Sequence, residues 1–350
     1  MTYTSSRVRR TLTLVAAGAA ALPLLAACGG SSDSGSAGAS GSGSSGGTKV
    51  AAVIKGLDNP FFQAMQDGIK AEAGDLGTNV TVQAAQSITD TTGQADRLTA
   101  LAQQKYGCYI VNPISGNNLV QGLAQVARQK VPIVNIDSPV DADAAKKAGA
   151  DISTYIGTDN SDAGARAGKQ MVSAIGSGKV AVIGGIAGDV TSGARVDGFT
   201  KAVGGTLQVV QTVAADWERQ KALTAATDIL SANPDLKGFF AANDDMGLGV
   251  ARAVANAGKT GQVAVISVDG NKEALQAVAD GQLTATVAQY PYAIGKMGVE
   301  ACVAAVKGQD LPAKVIAPVA VVTKDVAAQA IKSFPAPFQQ FDDPLASLAK

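Results

Sequence analysis

The 350-residue sequence contains no histidine, a single tryptophan and three cysteines, and only 4% of it is aromatic. Without histidine there is no imidazole general base, no Ser-His-Asp triad and no zinc site built on imidazole. An excess of either charge is also lacking: 29 Lys plus Arg stand against 29 Asp plus Glu. That balance argues against a chain that holds nucleic acid by neutralising phosphates. What is present is length and apolar content, at 46% hydrophobic. The length suits two domains, because a single core rarely grows far beyond roughly 250 residues.

The first residues have a separate logic. Arg7, Arg9 and Arg10 precede an apolar run over 12–27 with no charge, the layout of a signal peptide. The run is shorter than the ~20 residues of a permanent membrane-spanning helix. It ends in Leu25-Ala26-Ala27-Cys28-Gly29, which resembles a bacterial lipoprotein signal: cleavage before Cys28 and a lipid thioether on its sulfur. From 29 to 47 every residue is Gly or Ser except Asp33, Ala37 and Ala39; such a composition buries no core and acts as a flexible tether. The expected organisation is therefore a signal over 1–27 and a lipidated cysteine with its tether over 28–48. Removing 1–27 takes away three arginines and no acids, so the 29:29 balance becomes 26 − 29 = −3. Cys108 and Cys302 remain. In an exported chain a leftover pair is a disulfide candidate, with two buried thiols as the alternative, because sequence supplies no distance.

From Lys49 onward short β-rich runs alternate with amphipathic stretches of helical period. Strands are expected over 50–54, 79–83, 109–111, 131–136, 154–156, 180–183, 207–213, 238–241 and 263–268. Helices are expected over 61–76, 94–104, 119–128, 163–175, 196–203, 221–230, 248–257 and 273–279. Two successive series of this kind predict an α/β fold of two doubly wound parallel sheets, since parallel strands need helical crossovers. Ligands of such sheets sit beyond the carboxyl ends of the strands.

The strand ends carry a recurring chemistry. Lys55, Asn59, Phe61 and Phe62 follow the first strand, and Asp137 and Ser138 follow Ile136. Arg195 lies beyond Gly184-Gly185, and Trp217 stands in Asp216-Trp217-Glu218-Arg219. Asn243 follows Ala242, Asp269 follows Val268, and Gln289 follows Ala288. Two acids oppose two bases, amides supply paired donors and acceptors, and aromatics supply apolar faces. The set suits a neutral polyhydroxylated ring, whereas a phosphorylated ligand calls for more positive charge. Plainer roles stand beside these. Asn243 and Asp244 suit a helix cap, the preferred reading for Asp244; Asp269-Gly270 suits a turn; Arg195 suits a surface ion pair. Gly184-Gly185-x-x-Gly188 lacks dinucleotide spacing and reads as a tight turn, and Asp141-x-Asp143 lacks the glycine and glutamate of a calcium loop.

Taken together, Asp58-Asn59-Pro60-Phe61-Phe62, Ala215-Asp216-Trp217-Glu218-Arg219, Ala242-Asn243-Asp244-Asp245-Met246, 254–261 and Thr284-Ala285-Thr286-Val287-Ala288-Gln289 resemble the type I periplasmic sugar-binding proteins, in the branch with the ribose and allose receptors. The resemblance runs from Lys49 to about Thr323. It implies that Asn59, Asp137, Arg195, Asn243, Asp269 and Gln289 ligate hydroxyls, and that Phe61, Phe62 and Trp217 stack on the ring. Lys55 matches the allose-type pattern, while Ser138 departs from the longer Arg or Glu common after this aspartate. It further implies three crossings between lobes, near Thr158, Gln289 and Pro318. The lobes would then be 49–158 plus 290–318, and 159–289 plus 319–334, with a helix over 294–306 returning Cys302 to the first. The tail over 335–350 exceeds the usual family end and receives no role.

The implied protein is an extracytoplasmic, monomeric, lipid-anchored receptor. It closes its lobes on a neutral monosaccharide and presents it to an ABC permease powered by a separate ATPase, with no cofactor or metal and no catalysis. Xylose, psicose and inositol are alternative ligands. A signalling partner would leave the same cleft chemistry. A repressor would need a DNA-binding helix-turn-helix where the signal and tether lie, and an acid–base pair of Asp137 and Asp269 would define a glycosidase-like enzyme.

Overall fold

The computed structural model describes residues 48–350. The expected signal over 1–27, Cys28 and the tether up to 47 lie outside the described residues. The elements run β1 (Lys49–Ile54), α1 (Pro60–Asp75), β2 (Asn79–Ala84), α2 (Thr91–Ala102), β3 (Cys108–Val111), α3 (Val120–Ala127), β4 (Ile133–Ile136), α4 (Ala142–Lys147) and β5 (Thr154–Thr158). There follow α5 (Asn160–Ile175), β6 (Gly178–Gly184), α6 (Val190–Val203), β7 (Leu207–Ala214), α7 (Arg219–Ala232), β8 (Gly238–Ala241), α8 (Asp244–Asn256), β9 (Ala264–Asp269), α9 (Lys272–Ala279) and β10 (Ala285–Ala288). The chain ends with α10 (Pro291–Val306), β11 (Lys314–Ala317), β12 (Ala320–Val322), α11 (Lys324–Ser333) and α12 (Ala346–Ala349).

These strands form two six-stranded sheets in the orders β11-β5-β4-β3-β1-β2 and β12-β10-β9-β8-β6-β7. Every pairing is parallel except β10 with β12, where Thr286 faces Val322 and Ala288 faces Ala320. In each sheet the strand order reverses beside the first strand, so the crevices open past β1 and β3 and past β6 and β8. β1 shows how composition produces this: from Val50 to Ile54 every residue is buried, as a strand covered on both faces requires. Its alternate side chains enter different layers. Val50, Ala52 and Ile54 pack with Phe61, Met65 and Ile69, whereas Ala51 and Val53 pack with Leu98, Leu101 and Leu123. The second sheet has its own core, centred on Val180, Phe199, Phe239, Phe240 and Ile266.

The chain leaves the first sheet after β5, returns after β10 through α10 and β11, and leaves again to β12. Cys108 of β3 and Cys302 of α10 are joined as a disulfide with their Cα atoms 5.7 Å apart, tying the returning helix to the first sheet. The tail, given no role on sequence, is divided between the lobes. Phe338 packs against the second core, while Phe341, Leu345 and Ala349 pack against the first. Lys307 Nζ donates to the Ala349 carbonyl at 2.6 Å and to that of Lys350 at 3.0 Å, satisfying carbonyls that the end of α12 leaves unpaired.

Candidate functional site

The first lobe presents its side chains from three strand ends. Lys55, just past β1, donates from Nζ to Ser138 Oγ at 2.7 Å and lies 4.0 Å from Asp137 Oδ2. The same ammonium is 5.4 Å from the centre of the Phe62 ring. Asn59 caps α1: its Oδ1 accepts the Phe61 N–H at 2.9 Å, with Pro60 in the first turn, where a missing N–H is harmless. The cap fixes where Phe61 and Phe62 begin, and their rings meet edge to face with centres 5.2 Å apart. Asp137 adopts a left-handed φ of 60°. Its N–H donates to the Ile156 carbonyl at 2.7 Å, and its own carbonyl accepts the Tyr155 hydroxyl at 2.6 Å. Buried Asn135 secures the rest of this turn, donating to the Ser138 carbonyl at 2.8 Å and accepting the Val140 N–H at 2.8 Å.

The second lobe supplies the opposite wall. Arg195 on α6 is only 4% exposed. Its guanidinium donates to Asn160 Oδ1 at 2.8 Å, the Ala242 carbonyl at 2.8 Å and Asp269 Oδ1 at 3.3 Å. This placement depends on Gly164 of α5, where a Cβ would lie 2.0 Å from the Arg195 carbonyl oxygen. Trp217 has φ of 66°, next to Asp216 at 53°. Its indole lies against Gly185, where a Cβ would come within 2.2 Å of the ring, and the Arg195 guanidinium is 5.8 Å from its centre. Asn243 is the cap of α8, its Oδ1 accepting the Met246 N–H at 2.9 Å. Asp269, at φ 140°, receives a further bond from Gln289 Nε2 at 2.7 Å. Burial pushes its carboxyl above the ordinary range, against the pull of Arg195.

Lys55, Asn59, Phe61, Phe62, Asp137, Ser138, Arg195, Trp217, Asn243 and Asp269 thus line one cleft between the lobes, with about 60 Å³ open to the centres of water-sized molecules. Each wall holds one cation–carboxylate pair, Lys55 with Asp137 and Arg195 with Asp269. Asn59 and Asn243 each commit Oδ1 to a helix N–H, which leaves the Nδ2 donors of the same amides uncommitted by the cap.

One expectation needs correction, and one residue gains a further contact. Gln289 donates from Nε2 to Asp269 at 2.7 Å, while its buried Oε1 has no partner among the described residues. Asp244 is not the cap of α8, since Asn243 holds that position; Asp244 is fully buried and accepts three hydrogen bonds. Ile88, Ile114, Ile186, Asp189 and Thr191 also line the cleft and were not anticipated. The first three follow the ends of β2, β3 and β6, so the strand-end rule reaches them, but a search for polar groups passes over isoleucines. Asp189 caps α6 through the Ser192 N–H at 2.8 Å.

Comparison with known proteins places this architecture. Residues 50–310 match the model of the periplasmic binding protein domain. The chain belongs to that family. This periplasmic binding protein is 40% identical over 267 residues to the D-allose-binding periplasmic protein of Escherichia coli K12, covering 75% of the present chain and 86% of that protein. It is 32% identical over 272 residues to the ribose import binding protein RbsB of Bacillus subtilis 168, covering 77% and 86% respectively. An ABC transporter periplasmic solute binding protein from Actinobacillus succinogenes 130z, solved with bound D-allose, superposes with a TM-score of 0.76 at 30% identity, covering 80% of this chain and 99% of that one.

Proposed function

We propose that this protein captures a neutral monosaccharide, allose-like or ribose-like, in the cleft and delivers it to the membrane permease of an ABC importer. The observation that carries the reading is the composition of the two walls. Each brings one cation–carboxylate pair and one amide whose Nδ2 is left free by helix capping, and together they bring three aromatic side chains. Carboxylates and amides grip vicinal hydroxyls, and flat rings cover the C–H faces of a sugar. Because the ligand set is split between lobes, full affinity requires their closure, and the sugar shifts the population towards it. The relatives named for allose and ribose support this substrate class. In this reading Lys55, Asn59, Phe61, Phe62, Asp137, Ser138, Arg195, Trp217, Asn243 and Asp269 contact the ligand, and Gln289 orients Asp269.

The lobes in this reading are 49–158 plus 290–318, and 159–289 plus 319–334. A lipid on Cys28 would hold the monomeric receptor at the outer face of the membrane through the Gly/Ser tether, close to its permease and the separate ATPase. Thermal-shift screening of D-allose, D-ribose, other aldoses, ketohexoses and inositols tests the ligand class; saturable stabilisation by a neutral sugar is expected, and none across the panel refutes it. Cys28→Ala is expected to move the protein from the membrane fraction to the soluble one, and continued sedimentation with membranes refutes the anchor.

A further inference from the structure

Asp244 is the least exposed carboxylate in the second lobe and, among the described residues, no cation contacts it, yet it is amply bonded. Its Oδ1 accepts the Ser267 hydroxyl at 2.5 Å and the Thr286 hydroxyl at 2.7 Å, and its Oδ2 accepts the Asn271 N–H at 2.7 Å. A buried carboxylate is costly unless every acceptor site is filled; burial raises its pKa to about 6 while the Ser267, Thr286 and Asn271 donors act against that rise.

The partners are not scattered. Ser267 lies two residues before Asp269 on β9, and Asn271 lies two residues after it. Thr286, on the neighbouring β10, also accepts the Gly270 N–H at 3.3 Å. Asp244 itself follows Asn243. The single carboxylate therefore grips both flanks of Asp269 and adjoins Asn243. The gripped turn is strained: Asp269 has φ 140° and Gly270 φ 75°, and a side chain at φ 140° needs surrounding structure to hold it there. At Gly270 a Cβ would come within 2.5 Å of Ala288, so the turn is also pressed against β10.

We propose that Asp244 is a positioning residue for the cleft, clamping the 269–271 turn so that the Asp269 carboxylate faces Arg195 and the ligand. The proposal rests on the sugar-binding reading for its functional consequence but not for the clamp itself. Two of its members, Ser267 and Thr286, lie outside the cleft lining, which allows the clamp to be loosened without touching a ligand contact.

Thr286→Val keeps the shape of the side chain while removing the donor to Asp244 and the acceptor for Gly270. Sugar affinity is expected to fall about tenfold, the effect of one lost bond to a charged group. In an Asp269→Asn background, titrated at high sugar concentration, the same substitution is expected to cost little more, because its effect runs through residue 269. An equal loss in both backgrounds overturns the positioning role. Asp244→Asn, which keeps an acceptor for the Asn271 N–H, is expected to bind better than Asp244→Ala; equal binding by the two also counts against it. Amide hydrogen exchange on the sugar-free full chain separates this from the ligand assignment. Thr286→Val should speed exchange at Gly270 and Asn271 selectively, and unchanged exchange there overturns the clamp whether or not any sugar binds. If exchange changes as expected but the wild-type protein binds no sugar in the panel, the clamp stands and the substrate class fails.

Discussion

Asn243 allows the proposed ligand role of a capping amide to be measured apart from the cap itself. Its Oδ1 holds the Met246 N–H at 2.9 Å, and among the described residues no partner engages its Nδ2. Asn243→Ala removes both functions, and Asn243→Ser removes only the second, because serine caps about as well as asparagine but does not extend an amide into the cleft. The lost cap in the alanine variant costs about 1 kcal/mol, a fall of roughly 2–4 °C in the melting temperature of a lobe of this size. The lost donor leaves a sugar hydroxyl unpaired in a closed cleft, a penalty of about 1–3 kcal/mol, or about 5- to 150-fold in dissociation constant. Calorimetric titration with the best sugar, beside thermal unfolding without it, separates the two. Both variants are expected to lose affinity alike, and only alanine to lose stability. A serine variant with wild-type affinity refutes the ligand role, and one as unstable as alanine refutes the capping argument.

Other consequences follow from the first lobe. With Cys28 replaced by alanine, the denatured, unreduced protein is expected to show no reactive thiol and reduction to expose two; the cross-link contributes about 2–4 kcal/mol, and two thiols without reductant contradict the Cys108–Cys302 bond. Leu345, fully buried although near the chain end, is expected to cost about 2–5 kcal/mol when changed to alanine, read by denaturant unfolding; an unchanged midpoint would show that the tail is not part of the core. Burial, reinforced by the neighbouring Asp343 carboxylate and Glu72 and opposed by Lys296, raises the Glu300 pKa to about 8 from an ordinary 4.5. The folded chain therefore keeps a proton that the unfolded chain releases between these values, so this contribution is complete below pH 4.5 and is lost as pH rises towards 8. Glu300→Gln should flatten that part of the stability profile, and an unaltered slope assigns it to another group.

Much of the fold was legible because its strands are buried on both faces and read as unbroken apolar runs, as in Val50–Ile54. Helix starts were read late. Periodicity placed α2, α5 and α6 from residues 94, 163 and 196, whereas they begin at Thr91, Asn160 and Val190 behind the capping carboxylates of Asp90, Asp159 and Asp189; a polar first turn hides the onset from an apolar pattern. The edge strands β11 and β12, and α12 after a proline-rich stretch, are too short to show a period at all. In the cleft, residues with both charge and a strand-end position were readable. The Gln289–Asp269 contact and the role of Asp244 were not readable, because they depend on which neighbour each residue faces across the sheet, and that is a property of register between β8, β9 and β10, not of local sequence.

The central claim is that a neutral sugar is held between the two walls, and Trp217, the single tryptophan, lies in the cleft lining as its own reporter. Titrating its emission with D-allose and D-ribose is expected to give a saturable change with a dissociation constant near 1 μM, about −8 kcal/mol, for at least one neutral monosaccharide. Emission that stays constant through millimolar concentrations of every neutral sugar, with no competing heat of binding, would contradict the account.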